Sequence, residues 1–246
     1  DGSHEISEVI SEIDMNNSIN EATQVAAKKA NIPVSVKFDG IYVMDVVKNS
    51  NFLNKLHSGD VITKVDNQTF TSPDEIVNYI AKKKVGEQVN LEVQNAQQTR
   101  VISAPTIKLP NSDKTGIGIT LIAKNTVEST PKVKSLIKNV GGPSAGLMFT
   151  LELYQEFTNQ RLNNNQKIAG TGTISADGHV GSIGGIDKKV ISAAEAGAKV
   201  FFAPSEQLKG MTKETTDYAI AKKTAAHLKT NMKIVPVESF DDALQY

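Results

Sequence analysis

Two short segments carry residue types able to do nucleophilic chemistry together. Gly141-Gly-Pro-Ser144-Ala-Gly146 puts a hydroxyl directly after Gly-Gly-Pro, at the mouth of the amphipathic pattern LMFTLELYQEF. Proline suits a first helical turn because its missing N–H is not needed there. Ser144 would then sit beside unpaired backbone amides and the positive end of the helix dipole. An oxygen attacking from that place has donors within reach for a developing oxyanion, with Gly142 and Ala145 on either side of the turn. The small residues around it would let a substrate backbone approach closely. Read alone, the segment is equally compatible with a helix start whose small residues serve packing.

A nucleophile needs a proton acceptor. Gly142-Pro-Ser-Ala-Gly146 also spells G-x-S-x-G, the elbow of α/β-hydrolases, which requires a downstream acid and histidine. Only His179 and His227 follow, one in the turn Asp177-Gly178-His179 and one in the lysine-rich AKKTAAHLKT, and proline before the serine suits a strained elbow poorly. A lysine can serve instead where burial disfavours its charge. On IDKKVISAAEAG, at about 100° per residue, Lys188 falls with Ser192 and Glu195, whereas Lys189 falls between Ile186, Ala193 and Ala196. Lys188 looks outward and Lys189 inward. An inward lysine is also what a snorkelling structural side chain looks like.

The surrounding elements have to position these groups. Residues Glu5 to Ala30 are polar and Ala-rich with a thin apolar face, a helical pattern ended by Ile32-Pro33. Alternation then gives strands at Val34–Phe38 and Ile41–Val47, with Asp39-Gly40 between them as a turn. His57-Ser58-Gly59-Asp60 leads into the strand Val61–Val65. Ser72-Pro73-Asp74-Glu75 is a capping box opening the helix DEIVNYIAKKK, and strands VNLEV and TRVISA follow. The polar run Leu109–Asp113 serves as the domain junction. Beyond it come the strand GIGITLIAK, a strand or short helix KVKSLIKNV, and the serine-bearing helix. Two short strands flank a hairpin signal at Asp177-Gly178, then the lysine-bearing helix ends at Gly197, with strands AKVFFAP and MKIVPV after it. Strand and helix alternate throughout this second part, so the expected class is α+β overall, with a mixed-sheet domain before an α/β domain.

Composition narrows the function classes. The 246 residues are 39% hydrophobic, enough for one large domain or two modest ones. Lys+Arg and Asp+Glu balance at 27 each, which lacks the electrostatic footprint of a nucleic-acid binder. The absence of Cys removes disulfides, thiolate catalysis and Cys-ligated metal. No apolar run approaches the ~18 residues of a membrane span. No metal or cofactor is implied. Gly2-Ser3-His4 at the start reads as a cloning remnant.

The first part resembles a PDZ domain of the bacterial protease-associated kind. Asp39-Gly40-Ile41-Tyr42-Val43 matches the peptide-binding strand and its loop, and Ser58-Gly59-Asp60-Val61-Ile62 matches the strand further on. The resemblance implies that an extended peptide adds to the sheet at Gly40, Ile41, Tyr42 and Val43. The second part, roughly residues 112 to 246, resembles the proteolytic domain of the Lon family, through GGPSAGLMFTLELY, KIAGTGTISADGHVGSIGGIDKKVISAAEAGA and VFFAP in that order. That resemblance implies a serine endopeptidase in which Ser144 attacks the peptide carbonyl, Lys189 is the general base and the Thr171 hydroxyl helps hold the lysine. Two departures accompany it. No G-x-x-x-x-G-K-[ST] occurs in the chain, so peptides, loops or unfolded segments are the implied substrates, and Gly141 stands where many ATP-dependent members have an acidic residue.

The division expected is a helical segment over 1–30, a PDZ domain over 31–108 and a Lon-like domain over 109–246. A PDZ domain before a Lon-like domain without ATPase resembles the YlbL/SepM type of Gram-positive bacteria. This implies a membrane anchor upstream of the chain, a site outside the cytoplasm, and homo-oligomerisation by analogy with ring-forming Lon domains. A catalytically silent peptide-binding adaptor is the alternative of another class, and an esterase dependent on His179 or His227 is a second.

Overall fold

The computed structural model describes residues 2–133 and 142–246. Most of the segment Lys132–Val140, expected as a strand or short helix, lies outside the described residues, as does Gly141. The chain forms two compact units that are not contiguous segments: Asp1–Ile13 with Val36–Thr126, and Asp14–Ser35 with Val127–Tyr246.

Helix α1 runs over Gly2–Lys29, with Lys28 and Lys29 in its last turn, where positive charge complements the dipole. Asn31 takes the left-handed conformation (φ 56°), so the Ile32 amide reaches the Ala27 carbonyl (2.8 Å) and the helix closes just before Pro33. The polar, Ala-rich text and its stop signal predict this element nearly to the residue.

The first unit is built on a five-stranded sheet in the order β4-β3-β2-β1-β7. Its strands are β1 (Val34–Val46), β2 (Val61–Val65), β3 (Gln88–Gln94), β4 (Thr99–Pro105) and β7 (Ile119–Ser129). The short pair β5 (Ile107–Lys108) and β6 (Thr115–Gly116) lies beside it, and helix α2 covers Pro73–Ala81. Strand β3 is plainly alternating: Val89, Leu91 and Val93 are fully buried and pair antiparallel with β4 from Gln88↔Pro105 to Gln94↔Thr99. These residues join Ile41, Phe52, Ile62 and Val65 with Ile76 and Ile80 of α2 in one core. Ser72 caps α2 by accepting from the Glu75 amide (3.3 Å), while the Glu75 carboxylate accepts from the Thr71 amide (2.7 Å), one residue earlier than a strict capping box. Asp66 gathers the far side of this unit, accepting from Lys83 (2.7 Å), Tyr79 (2.8 Å) and the Asn90 amide (2.8 Å).

Two expectations change here. Asp39-Gly40 is not a turn: β1 passes straight through it, and Gly40 (φ 143°) is needed because a Cβ there would collide with the Ile62 carbonyl. The polar run Leu109–Asp113 is a tight connection between β5 and β6, inside the first unit, closed by Leu109 N–H to the Lys114 carbonyl (2.9 Å). Pro-Asn-Ser-Asp composition suits a reverse turn as well as a linker.

In the second unit a parallel three-stranded sheet runs β12-β11-β8, formed by β8 (Ile168–Gly170), β11 (Val200–Pro204) and β12 (Lys233–Val237). Strand β11 is central and buried along its length, pairing Val200↔Ile168 on one side and Val200↔Lys233 on the other. Val200 and Phe202 face a cluster with Leu147, Leu151, Val237 and Phe240, drawn from α3 (Gly146–Thr158) and α6 (Phe240–Gln245) as well as β12. Phe201 and Ala203 face the opposite cluster, with Ile186, Val190, Ala221 and Ala225 from α4 (Ile186–Glu195) and α5 (Asp217–Leu228). Helices thus cover both faces, as a parallel sheet requires. The hairpin β9 (Thr173–Ile174) and β10 (Val180–Gly181) turns at Gly178 (φ 89°), as Asp177-Gly178 predicts.

Candidate active site

Ser144 stands in a single 3-10 turn, Pro143–Ala145, that runs into α3. This places it just before the α-helix rather than in its first turn; the Gly146 amide closes the turn on the Pro143 carbonyl. The turn is docked from behind. The Ser144 carbonyl accepts from the Thr171 hydroxyl (3.0 Å) and the Gly172 amide (2.9 Å), and the Leu147 amide donates to the Gly172 carbonyl (3.1 Å). Thr171 is itself buried, with its amide on the Phe202 carbonyl of β11 (3.0 Å). The sheet therefore fixes Thr171-Gly172, and Thr171-Gly172 fixes the serine. Gly146 must be glycine, since a Cβ would lie 2.8 Å from the Ile174 amide nitrogen.

Lys189 reaches this turn from α4. Ile186, Val190 and Ala193 are buried, Lys188 is exposed and Lys189 is half-buried, in agreement with the helical-phase reading. The Lys189 Nζ lies 3.0 Å from Ser144 Oγ. Among the described residues no carboxylate is within ion-pair distance of that amine. The amides of Gly146 and Leu147 are used within this arrangement, on the Pro143 and Gly172 carbonyls, and the Ser144 and Ala145 amides lie in the turn itself, beside the hydroxyl. An alcohol, an amine at hydrogen-bond distance and nearby backbone donors form a set able to carry acyl transfer. Gly142 takes the left-handed conformation (φ 80°), and no atom of the described residues lies within 4 Å of where a Cβ would stand.

The structure changes one expected role. The Thr171 hydroxyl holds the Ser144 carbonyl, and not the lysine. The two histidines are engaged elsewhere: His179 with the Glu206 carboxylate (3.0 Å) and His227 with the Lys223 carbonyl (2.9 Å).

Two acidic residues missed by sequence reasoning hold the approach to α4. Asp217, only 5% exposed, accepts with one oxygen from the Ser182 hydroxyl (2.7 Å) and the Ile183 amide (2.8 Å). Glu206 accepts from the Ser182 amide (3.2 Å) as well as from His179. Gly185, left-handed at φ 67°, then turns the chain into the helix. In sequence Asp217 is indistinguishable from any acidic residue in a first helical turn.

Gly40, Ile41, Tyr42 and Val43 present no free sheet edge. Strand β2 pairs with Ile41 and Tyr42 on one side. On the other side β7 is tied to β1 through Val47 N–H to the Gly118 carbonyl (2.9 Å) and through Thr126 to Asp39. The edge strands of the sheet are β4 and β7, and β7 is the one beside β1. An apolar cleft runs along it, between Ile76, Val77 and Ile80 of α2 and the Ile117-Gly118-Ile119 segment. The signal in the sequence was GIGITL, which reads equally as an ordinary strand.

Comparison with known proteins divides the chain differently from its compact units. Residues 14–106 match the PDZ domain family, so that match takes in the half of α1 that belongs to the second unit. Residues 135–246 match the Lon protease (S16) C-terminal proteolytic domain. The Lon protease of Fusobacterium nucleatum is 30% identical over 183 residues, covering 68% of this chain and 22% of that protein. The Lon protease of Trichlorobacter lovleyi is 34% identical over 104 residues, 42% of this chain and 11% of its own length. The chain thus spans about a fifth or less of these curated relatives. The crystallised PDZ domain of the SdrC-like protein of Listeria monocytogenes is 34% identical, covering 36% of this chain and 93% of that one with a TM-score of 0.34. The chain is an α+β protein in which a PDZ domain is followed by a Lon-type C-terminal proteolytic domain.

Proposed function

We propose that this chain is a serine endopeptidase in which Ser144 is the nucleophile and Lys189 the general base, acting on peptides or accessible protein segments. The observation that carries the reading is the 3.0 Å separation of Lys189 Nζ from Ser144 Oγ. Unprotonated Lys189 takes the Ser144 proton as Oγ attacks the scissile carbonyl carbon. The carbonyl oxygen, now an oxyanion, is met by backbone amides of the segment Gly142 to Ala145. The lysine ammonium then gives its proton to the leaving amine nitrogen as the C–N bond breaks, which leaves an acyl ester on Ser144. A water loses a proton to Lys189, attacks the ester carbon and releases the acid, and the proton returns to Ser144 Oγ. Proton transfer of this kind contributes about 10²–10⁴-fold. No phosphate-binding G-x-x-x-x-G-K-[ST] loop is present in these 246 residues, which favours substrates that need no unfolding. The PDZ cleft along β7 is the peptide-receiving surface of this reading.

The test is covalent labelling with a fluorophosphonate, with the adduct mapped by mass spectrometry. Wild type is expected to carry one adduct on Ser144, and Ser144→Ala and Lys189→Met none. A folded wild-type protein that takes up no adduct refutes the reading in favour of a peptide-binding adaptor, and a Ser144→Ala protein that cleaves peptide at the native rate refutes Ser144 as the nucleophile.

A further inference from the structure

The half of α1 from Asp14 to Lys29 packs inside the second unit, directly behind the nucleophile turn. Ser18, Ala22, Val25 and Ala26 recur at helical spacing as one buried stripe, 4%, 0%, 7% and 0% exposed. The three apolar members share a core with Leu147, Leu151, Ile174 and Val180, which are the helix that follows Ser144 and the hairpin that receives it. The stripe is made of small residues, so the α1 backbone comes close. Its polar member, Ser18, meets the turn itself. The Ser18 Oγ is 3.5 Å from the Pro143 carbonyl and 2.9 Å from the place a Cβ on Gly146 would take. A bond of 3.5 Å is weak, so the hydroxyl acts mainly by filling the notch between Pro143 and Gly146 without a void and without a clash.

We infer that Asp14–Lys29 is an integral part of the proteolytic unit, and that Ser18 is a positioning residue that sets where Ser144 Oγ stands. In chain order, the PDZ segment Val36–Thr126 is then an insertion between two pieces of one catalytic fold. Ser144 is held at its carbonyl by Thr171 and Gly172, and α1 backs the residues on either side of it. A larger side chain at position 18 pushes Pro143 and Gly146 outward and lengthens the 3.0 Å approach to Lys189. This inference rests on the proposed serine–lysine chemistry and deepens it.

The test uses the full chain with Ser18→Leu, Ser18→Ala and the exposed control Asn16→Leu. Three quantities are read: the rate of fluorophosphonate labelling at Ser144, the melting temperature, and amide hydrogen exchange in the peptide spanning residues 142–150. Ser18→Leu is expected to label about 100-fold more slowly, the scale of a misplacement near 1 Å, and Ser18→Ala several-fold more slowly. Exchange in 142–150 should quicken by about tenfold in Ser18→Leu while the rest of the unit keeps its protection. Asn16→Leu should match wild type. The inference is overturned if both Ser18 variants label and exchange as wild type, if labelling falls only in proportion to the unfolded fraction, or if Asn16→Leu slows as much as Ser18→Leu. Should Ser18→Leu fail to fold, Ser18→Ala decides by the same two readouts. A wild type that never labels refutes the serine–lysine chemistry, and the exchange measurement then decides the role of α1 by itself.

Discussion

Replacing Asp217 by alanine removes one buried carboxylate oxygen that accepts two hydrogen bonds, from Ser182 Oγ at 2.7 Å and Ile183 N at 2.8 Å. Both donors are half-buried, and the carboxylate is 5% exposed, so water replaces the lost acceptor poorly. Each donor left without a partner costs about 1–3 kcal/mol, giving a loss of roughly 2–6 kcal/mol for the pair. At about 2–4 °C per kcal/mol for a unit of this size, the melting transition of the second unit should fall by roughly 5–20 °C. Ser182 and Ile183 lie just ahead of α4, so loosening them lets Lys189 drift from Ser144. Asp217→Asn keeps an oxygen at the same place and should lose only about 1 kcal/mol, the difference between a charged and a neutral acceptor. The assay is thermal melting by far-ultraviolet circular dichroism together with fluorophosphonate labelling at a temperature where both variants are folded. Asp217→Ala should label at least about tenfold more slowly and Asp217→Asn within about threefold of wild type. An alanine variant that melts within 1 °C of wild type and labels at full rate would refute the claim that this carboxylate holds the α4 approach.

Thr171→Val removes a hydroxyl whose partner, the Ser144 carbonyl, keeps the Gly172 amide, so stability should fall by only about 1 kcal/mol while kcat drops about tenfold with little change in KM. Thr171→Ser should restore the rate, and a valine variant with wild-type kcat would show that the hydroxyl does not position the nucleophile. In the first unit, burial alone would raise the Asp66 carboxyl, but hydrogen bonds from Lys83, the Asn90 amide and Tyr79 outweigh it and hold the group below the ordinary range. Its contribution is therefore complete above the unfolded value near ~3.9 and is lost as pH falls through the lower folded value. Asp66→Asn should flatten that acid-side loss, and urea titrations from pH 5 to pH 2 read it; equal slopes in both proteins would contradict the assignment. Val77→Asp, at a 41% exposed position in the cleft beside β7, should weaken capture of a peptide ending in an apolar residue by more than about tenfold and leave fluorophosphonate labelling unchanged. Undiminished binding would place the peptide elsewhere.

The serine before a helix start and the inward lysine were readable because each is a local property, Gly-Gly-Pro ahead of the helix and phase along ten residues of α4, whereas their pairing came only from the resemblance to the Lon family. The helical phase put Lys189 inward, and it lies at the serine. What could not be read was pairing between distant strands. Gly40–Val43 looked like an edge, yet β7, some eighty positions later, runs alongside it, and no property of either strand by itself announces its neighbour. The same holds for Thr171, whose hydroxyl was expected to hold the lysine and donates instead to the Ser144 carbonyl. Asp217 and Ser18 escaped notice because each is ordinary in its own helix and significant only through residues 34 and 125 positions away.

That last separation carries a consequence for synthesis on the ribosome. At roughly 5–20 residues per second, the 125 positions from Ser18 to Pro143 take about 6–25 s to translate. Throughout that interval the Ala22, Val25 and Ala26 stripe has been made while its covering partners Leu147 and Leu151 do not yet exist. The intervening residues can close around their own core first, so the nascent chain carries an early, naked apolar seam past a finished neighbour.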